Sequence, residues 1–165
     1  MILTGHEIQN QVQAGKITIT PFNPTHITTN SYDLCLGDKL VRYTSPVLDP
    51  KQPSAYEVIE MTPEGHTMQK GDFLLATTAE IVGSDHFVPL LHGKSGMARK
   101  GLFAHITADL IDLGYTGRLT LQLYATLPVK IYPGMKIAQV TFWQPKGEVT
   151  LYHGQAPQGD LPRVD

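Results

Sequence analysis

From Ile17 onward, apolar and polar residues alternate in short runs, and Pro, Gly, Asn or Asp breaks each run within a few residues. A period of two sends successive side chains to opposite faces of a strand, and breakers at this density leave no room for ordinary helices. The pattern predicts strands at Ile17–Thr20, Ser31–Leu36, Leu40–Tyr43, Glu57–Glu60, Thr67–Gln69, Phe73–Val82, Phe103–Ile106, Arg118–Tyr124, Val129–Ile131 and Ala138–Trp143. Many short strands with Gly/Pro turns pack as a sandwich, jelly roll or barrel, an architecture that 15 Gly and 12 Pro suit.

The start of the chain is the exception. Thr4 and Glu7 have the spacing of a capping box, Ile8 and Val12 share a helical face, Leu3 can staple against Ile8, and Gly15 supplies a stop. A short helix packed on a sheet is expected there. Between Leu90 and Leu102 the alternation lapses, and Ser95 is read as the cap of a second short helix ending near Gly101.

A chain of 165 residues fits one domain over 1–165, with 41% hydrophobic and 17% charged residues. The formal net charge of −2, with no basic stripe, argues against a nucleic-acid partner. Cys35 stands alone, which excludes an intrachain disulfide and a multi-cysteine zinc site, and it reads as a small strand residue. The N-terminus lacks the pattern of a signal peptide, and no run approaches the ~18 apolar residues of a membrane span. A cytoplasmic protein without membrane contact is expected. The segment from Gly154, GQAPQGDLPRVD, is polar and turn-rich, and is expected to be mobile in the free protein.

Three segments could carry chemistry. In HGKSGMARKG, Lys94, Arg99 and Lys100 concentrate positive charge around Ser95 and Gly96. Backbone N–H groups near Gly96 and a helix start suit an anion such as phosphate, although a solvated basic turn reads equally well from composition. In ADLIDLGYTGRLTLQLY, Asp112 precedes a Gly114–Tyr115 turn and a strand whose polar face carries Arg118, Thr120, Gln122 and Tyr124. A carboxylate at a strand end can act as a general base or can bond its own turn. In YPGMKIAQVTFW, Gln139 is the polar exception on a strand of apolar neighbours. No H-x-E with P-C-x-x-C occurs, which disfavours a zinc deaminase.

Taken in order, these segments resemble the motifs of the dUTPase/dCTP deaminase superfamily. GKSGMARKG is similar to its R-S-(G/S)-(L/M)-A phosphate motif, ADLIDLGYTGRLTLQL to the G-x-I-D-x-x-Y-x-G motif, PGMKIAQVTF to P-G-x-R/K-x-A-Q, and NSYDLCLG to an early strand motif. The helix-first layout resembles the deaminase branch. The resemblance implies a distorted jelly roll of the β-clip type, assembled as a homotrimer with sites at subunit boundaries. It implies that Lys94, Ser95, Gly96 and Arg99 touch a nucleoside triphosphate, that Thr107, Ala108 and Asp112 face the base and deoxyribose with Tyr115 beneath the sugar, and that Thr120, Leu121 and Gln139 are further substrate-binding positions. Tyr152 and Gln155 would also bind the substrate, and a tail at about 154–165 would close over the nucleotide. Magnesium would ride on the triphosphate oxygens rather than on a protein metal site.

Two departures from the pattern bear on activity. Lys94 stands where the family usually has Arg, turning a bidentate contact into a point charge. Gln122 stands where the deaminases carry the Glu that activates water, and a glutamine amide accepts no proton at neutral pH. The tail YHGQ resembles K-Y-x-G-Q with Leu151 in place of Lys. The reading that follows is hydrolysis of dUTP to dUMP and pyrophosphate, with Asp112, Ser95 and Arg99 as catalytic groups and Gln122 marking the altered position. The alternative is dCTP deamination, alone or combined with dUTP hydrolysis. An inactive nucleotide-binding relative is the third reading.

Overall fold

The computed structural model describes residues 1–154 and 159–164. Helix α1 spans Gly5–Gln13, and the Thr4 side chain caps it by accepting from the Glu7 N–H. Ile8 is fully buried against the sheet and Leu3 packs at its edge. Gly15, at φ +71°, ends the helix in the left-handed region that a side chain would resist. The Glu7 carboxylate does not close the reciprocal half of the box; it accepts instead from Asn10 and Gln11.

Ten strands follow: β1 (Thr18–Thr20), β2 (Tyr32–Tyr43), β3 (Tyr56–Glu60), β4 (His66–Met68), β5 (Phe73–Gly83), β6 (Val88–Gly93), β7 (Leu102–Phe103), β8 (Thr116–Ala125), β9 (Val129–Ile131) and β10 (Lys136–Trp143). A four-residue helix, α2 (Ser95–Ala98), leaves β6, and a single 3₁₀ turn covers Pro24–His26. The principal sheet runs β6-β10-β2-β5-β8-β7, with β1 pairing β5 and β3 pairing β2, while β4 and β9 form a separate pair. Every pairing is antiparallel.

Three elements differ from the pattern-based expectation. Gly37–Asp38 does not turn the chain, so the two strands expected around it are one, β2; the break survives as a register shift against β5 between Leu36 and Leu40. Strand β6 was not expected, because VPLLHG lacks alternation and carries Pro89 and Gly93. Pro89 is tolerated because β10 pairs with β6 on one side, while the other meets only an isolated bridge, Leu90 to Leu110. The strand expected at Phe103–Ile106 stops at Phe103.

The core lies on one face of the alternation. In β8, Leu119, Leu121 and Leu123 are buried while Arg118, Thr120, Gln122 and Tyr124 take the opposite, partly exposed face. Beside it in the same sheet, β5 contributes Leu74, Ala76 and Val82 to the core and β2 contributes Leu34, Leu36 and Leu40. The sheet thus presents the polar row of β8 outward while its apolar row is anchored.

Candidate active site

The turn that precedes β8 builds a cavity lined by several of the expected site residues. Tyr115 N–H bonds Asp112 O at 3.2 Å, and Gly114 N–H reaches Ser84 O at 2.9 Å. Gly114 sits at φ +89°, and a Cβ there would lie 2.9 Å from the Tyr152 nitrogen. Glycine is therefore required twice, for its backbone angle and for the close approach of the 151–152 segment. That segment is held by Tyr152 N–H on Leu113 O at 2.7 Å.

The resulting cavity, about 220 Å³, is walled by Ala108, Asp112, Tyr115, Thr120 and Tyr152, with Leu91, Leu110, Ile111 and Leu119 as its apolar lining. Asp112 is exposed, so its carboxylate faces solvent at the cavity wall. The Tyr115 and Tyr152 rings are tilted, 6.3 Å apart. Tyr115 Oη donates to Arg118 O at 2.7 Å. Burial, with Tyr152 adding to it, raises the Tyr115 hydroxyl above its ordinary range, so it stays a neutral donor.

Arg163 also lines this cavity, a residue that sequence reasoning missed because nothing in PRVD marks it. Its N–H donates to Thr120 Oγ1 at 3.0 Å. The described part of the tail lies across the polar face of the sheet: Thr77 Oγ1 donates to Asp160 O, Lys39 pairs with the Asp160 carboxylate at 2.9 Å, and Tyr43 Oη donates to Val164 O. Residues 159–164 are thereby docked on β2, β5 and β8. Gln155 lies outside the described residues.

The basic turn forms separately, at the far end of β6. Lys94, not Ser95, is the N-cap of α2, and it makes no side-chain capping bond. Ser95 is the first helical residue, and a helix of four residues has little dipole to offer. Ser95, Arg99 and Lys100 are exposed. Lys94 Nζ is committed to Asp33, at 2.5 Å, and Lys136 Nζ approaches the other oxygen of the same buried carboxylate at 3.4 Å. None of Lys94, Ser95, Gly96 or Arg99 lines the cavity.

The remaining expected residues fall outside the cavity wall. Thr107 is exposed beside Ala108. Gln122 is half-buried, and its N–H donates to Ala104 O at 3.0 Å. Two further expected residues lie away from this cavity wall. The Leu121 side chain is fully buried in the core, because it points with Leu119 and Leu123, so it offers a ligand no side-chain contact. The Gln139 side-chain oxygen accepts from Ser31 Oγ at 3.1 Å, since β10 pairs with β2 there, so Gln139 ties two strands together away from the cavity.

Beside Gln122, His105 follows the Ala104 carbonyl, and its Nδ1 is buried with no hydrogen-bond partner. His92 pairs through Nε2 with Thr141 Oγ1 at 2.9 Å, and burial, reinforced by His105, lowers its pKa.

The cavity and the basic turn are the two places where motif residues cluster; the dCTP deaminase-like family model matches residues 2–145, which hold the whole basic turn and every cavity residue except Tyr152 and Arg163. The chain belongs to the dCTP deaminase-like family. Among similar proteins of this family, a "dCTP deaminase, dUMP-forming" of Clostridium beijerinckii is 37% identical over 152 residues, covering 92% of this chain and 87% of its own length. A "dCTP deaminase" of Rhodopirellula baltica is 40% identical over 149 residues, covering 90% of this chain and 74% of its own. The crystal structure of the 2'-deoxycytidine 5'-triphosphate deaminase from Agrobacterium tumefaciens superposes with a TM-score of 0.69 at 20% identity, and covers 86% of this chain. The present chain spans about half (47%) of that longer chain, and the likeness establishes the fold. Among the described residues, no helix is long and apolar enough to cross a membrane.

Proposed function

We propose that this family member forms dUMP from dCTP, consuming two waters and releasing ammonia and pyrophosphate. The observation that carries the reading is the alignment, across 92% of the chain, with a relative named as a dUMP-forming dCTP deaminase. The cavity is consistent with it. Ala108, Thr120 and the Tyr115–Tyr152 pair offer a base and sugar a mixed apolar and hydroxyl-bearing wall. Asp112 would take a proton from the water that attacks the α-phosphorus, while Ser95, Arg99 and Lys94 would balance charge on the phosphates. Deamination needs a second proton acceptor. His105, whose Nδ1 is unpartnered beside the Gln122 strand, is the group we place there.

The homotrimer is proposed on the family resemblance; the basic turn does not line the cavity of its own chain, and a neighbouring copy would bring one to it. Magnesium would be carried by the nucleotide. Asp33 is committed to two lysines and Asp112 is the single carboxylate in the cavity wall, a donor set too sparse to hold the ion without phosphate oxygens. When bound, it neutralises phosphate charge.

A second reading, hydrolysis of dUTP alone, is favoured by Gln122, which removes a carboxylate from the β8 polar row. Incubation with magnesium and either dCTP or dUTP, following ammonia and pyrophosphate separately, decides between them. Ammonia from dCTP, lost in His105→Ala, supports the proposal. Pyrophosphate from dUTP with no ammonia from dCTP selects the second reading, and Gln122→Glu would then be expected to gain ammonia release.

A further inference from the structure

Away from the cavity, the 3₁₀ turn at Pro24–His26 brings an imidazole over β2 and β5, where Cys35 and Glu80 meet. One ligating atom from each of His26, Cys35 and Glu80 lies within 4.8 Å of the other two. Cys35 and Glu80 are buried, and His26 is nearly so. Glu80 is 3% exposed, yet among the described residues its one ion-pair partner is His26 Nδ1, at a long 3.9 Å. Its other oxygen accepts the Cys35 N–H at 2.9 Å. His26 Nδ1 is itself buried with no hydrogen bond. The Cys35 thiol hydrogen-bonds the same carboxylate, so among the described residues Glu80 is partnered by Cys35 and, at a distance, by His26, while the buried His26 nitrogen has no hydrogen bond.

We propose that His26, Cys35 and Glu80 form a binding site for a divalent transition-metal ion, Zn²⁺ being the best match, distinct from the nucleotide site. Sulfur, imidazole nitrogen and carboxylate oxygen are the three donor types zinc takes, and three protein ligands leave a fourth position for water. Thiolate and carboxylate together cancel the charge of the ion, so the site is neutral when filled, as a buried position requires. Tetrahedral zinc, with bonds of about 2.0–2.3 Å, sets its ligand atoms about 3.3–3.6 Å apart. His26 sits on a three-residue turn rather than in the sheet and is the ligand free to close that gap. The thiol proton is released to solvent on binding. Filled, the site would pin the 24–26 turn to β2 two residues from Asp33, the carboxylate that holds Lys94.

The test uses untagged, chelator-treated protein titrated with Co²⁺ and then Zn²⁺. Cys35 is the one cysteine of the chain, so a near-ultraviolet thiolate-to-cobalt charge-transfer band can arise only there. The expected result is that band at one Co²⁺ per chain, its loss on adding Zn²⁺, and its absence in Cys35→Ala. Affinity in His26→Gln should fall by more than the about 10–100-fold that loss of an outer partner costs. Should Glu80→Gln fail to fold, Cys35→Ala and His26→Gln, checked by circular dichroism, still decide the matter. No band, or cobalt binding unchanged in either variant, would overturn the site.

Discussion

The cavity at Asp112 and the basic turn at Lys94 carry the two halves of a nucleotide site, and the chain prepares them to very different degrees. The cavity is held by backbone bonds from three segments, by a glycine that admits Tyr152, and by a half-buried tyrosine whose hydroxyl is already engaged. The turn is one helical turn of exposed charge, and its Lys94 is spent on Asp33. An apolar and aromatic wall must be packed in advance, because its binding energy comes from shape. Cations that meet a polyanion need only be nearby, since exposed charge acts at a distance and reorganises cheaply.

The comparison yields five expected outcomes. Asp112→Asn should cut pyrophosphate release by about 10²–10⁴-fold, the usual worth of a general base, with little change in nucleotide affinity measured by calorimetry. Near-normal turnover would remove Asp112 from the chemistry and leave the cavity a binding wall. Gly114→Ala should destabilise the fold by about 1–3 kcal/mol in thermal unfolding and weaken nucleotide binding, through strain at φ +89° and displacement of Tyr152. An unchanged melting temperature would mean the cavity is looser than its bonds suggest.

Arg99→Ala and Lys94→Met separate the exposed cation from the committed one. Arg99→Ala should lower triphosphate affinity by about 10–100-fold, as loss of a charge-assisted bond does, while leaving stability intact. Lys94→Met should act mainly on stability, because it leaves the buried Asp33 with Lys136 alone. Equal effects on affinity would show that Lys94 leaves Asp33 for phosphate. The smallest effect expected is on pH dependence. Burial depresses the folded pKa of His92 below the ordinary value of about 6.5, so the unfolded chain takes up the proton first as the solution is acidified. Its contribution is therefore present above about pH 6.5 and declines as pH falls through the lower folded value. His92→Gln should flatten the acid side of the stability curve measured by denaturant titration, although burial depresses His66 in the same direction and leaves some slope.

Local pattern made most of the strands legible, since burying one face of a strand requires alternation, as β8 demonstrates residue by residue. It also marked Asp112, Tyr115 and Thr120, because a turn followed by a polar row stands out from a core strand. It failed where one dipeptide has two outcomes. Gly37–Asp38 can turn a chain or break a register, and β5 alone settled that it does the latter. Alternation tells which residues share a face, but only the packed sheet says which face meets the cavity, and it puts the Leu121 side chain in the core and the Gln139 side chain on Ser31.

By itself, then, the sequence determined the β class, the capped helix α1, the alternation of β8 and the two clusters of chemistry, all of which depend on residues near one another in the chain. Tertiary structure alone decided that Lys94 answers to Asp33, that Arg163 reaches the Asp112 cavity, and that His26, Cys35 and Glu80 come together. Those are contacts between residues far apart in the chain, and strand order and register, which no local spacing encodes, set them.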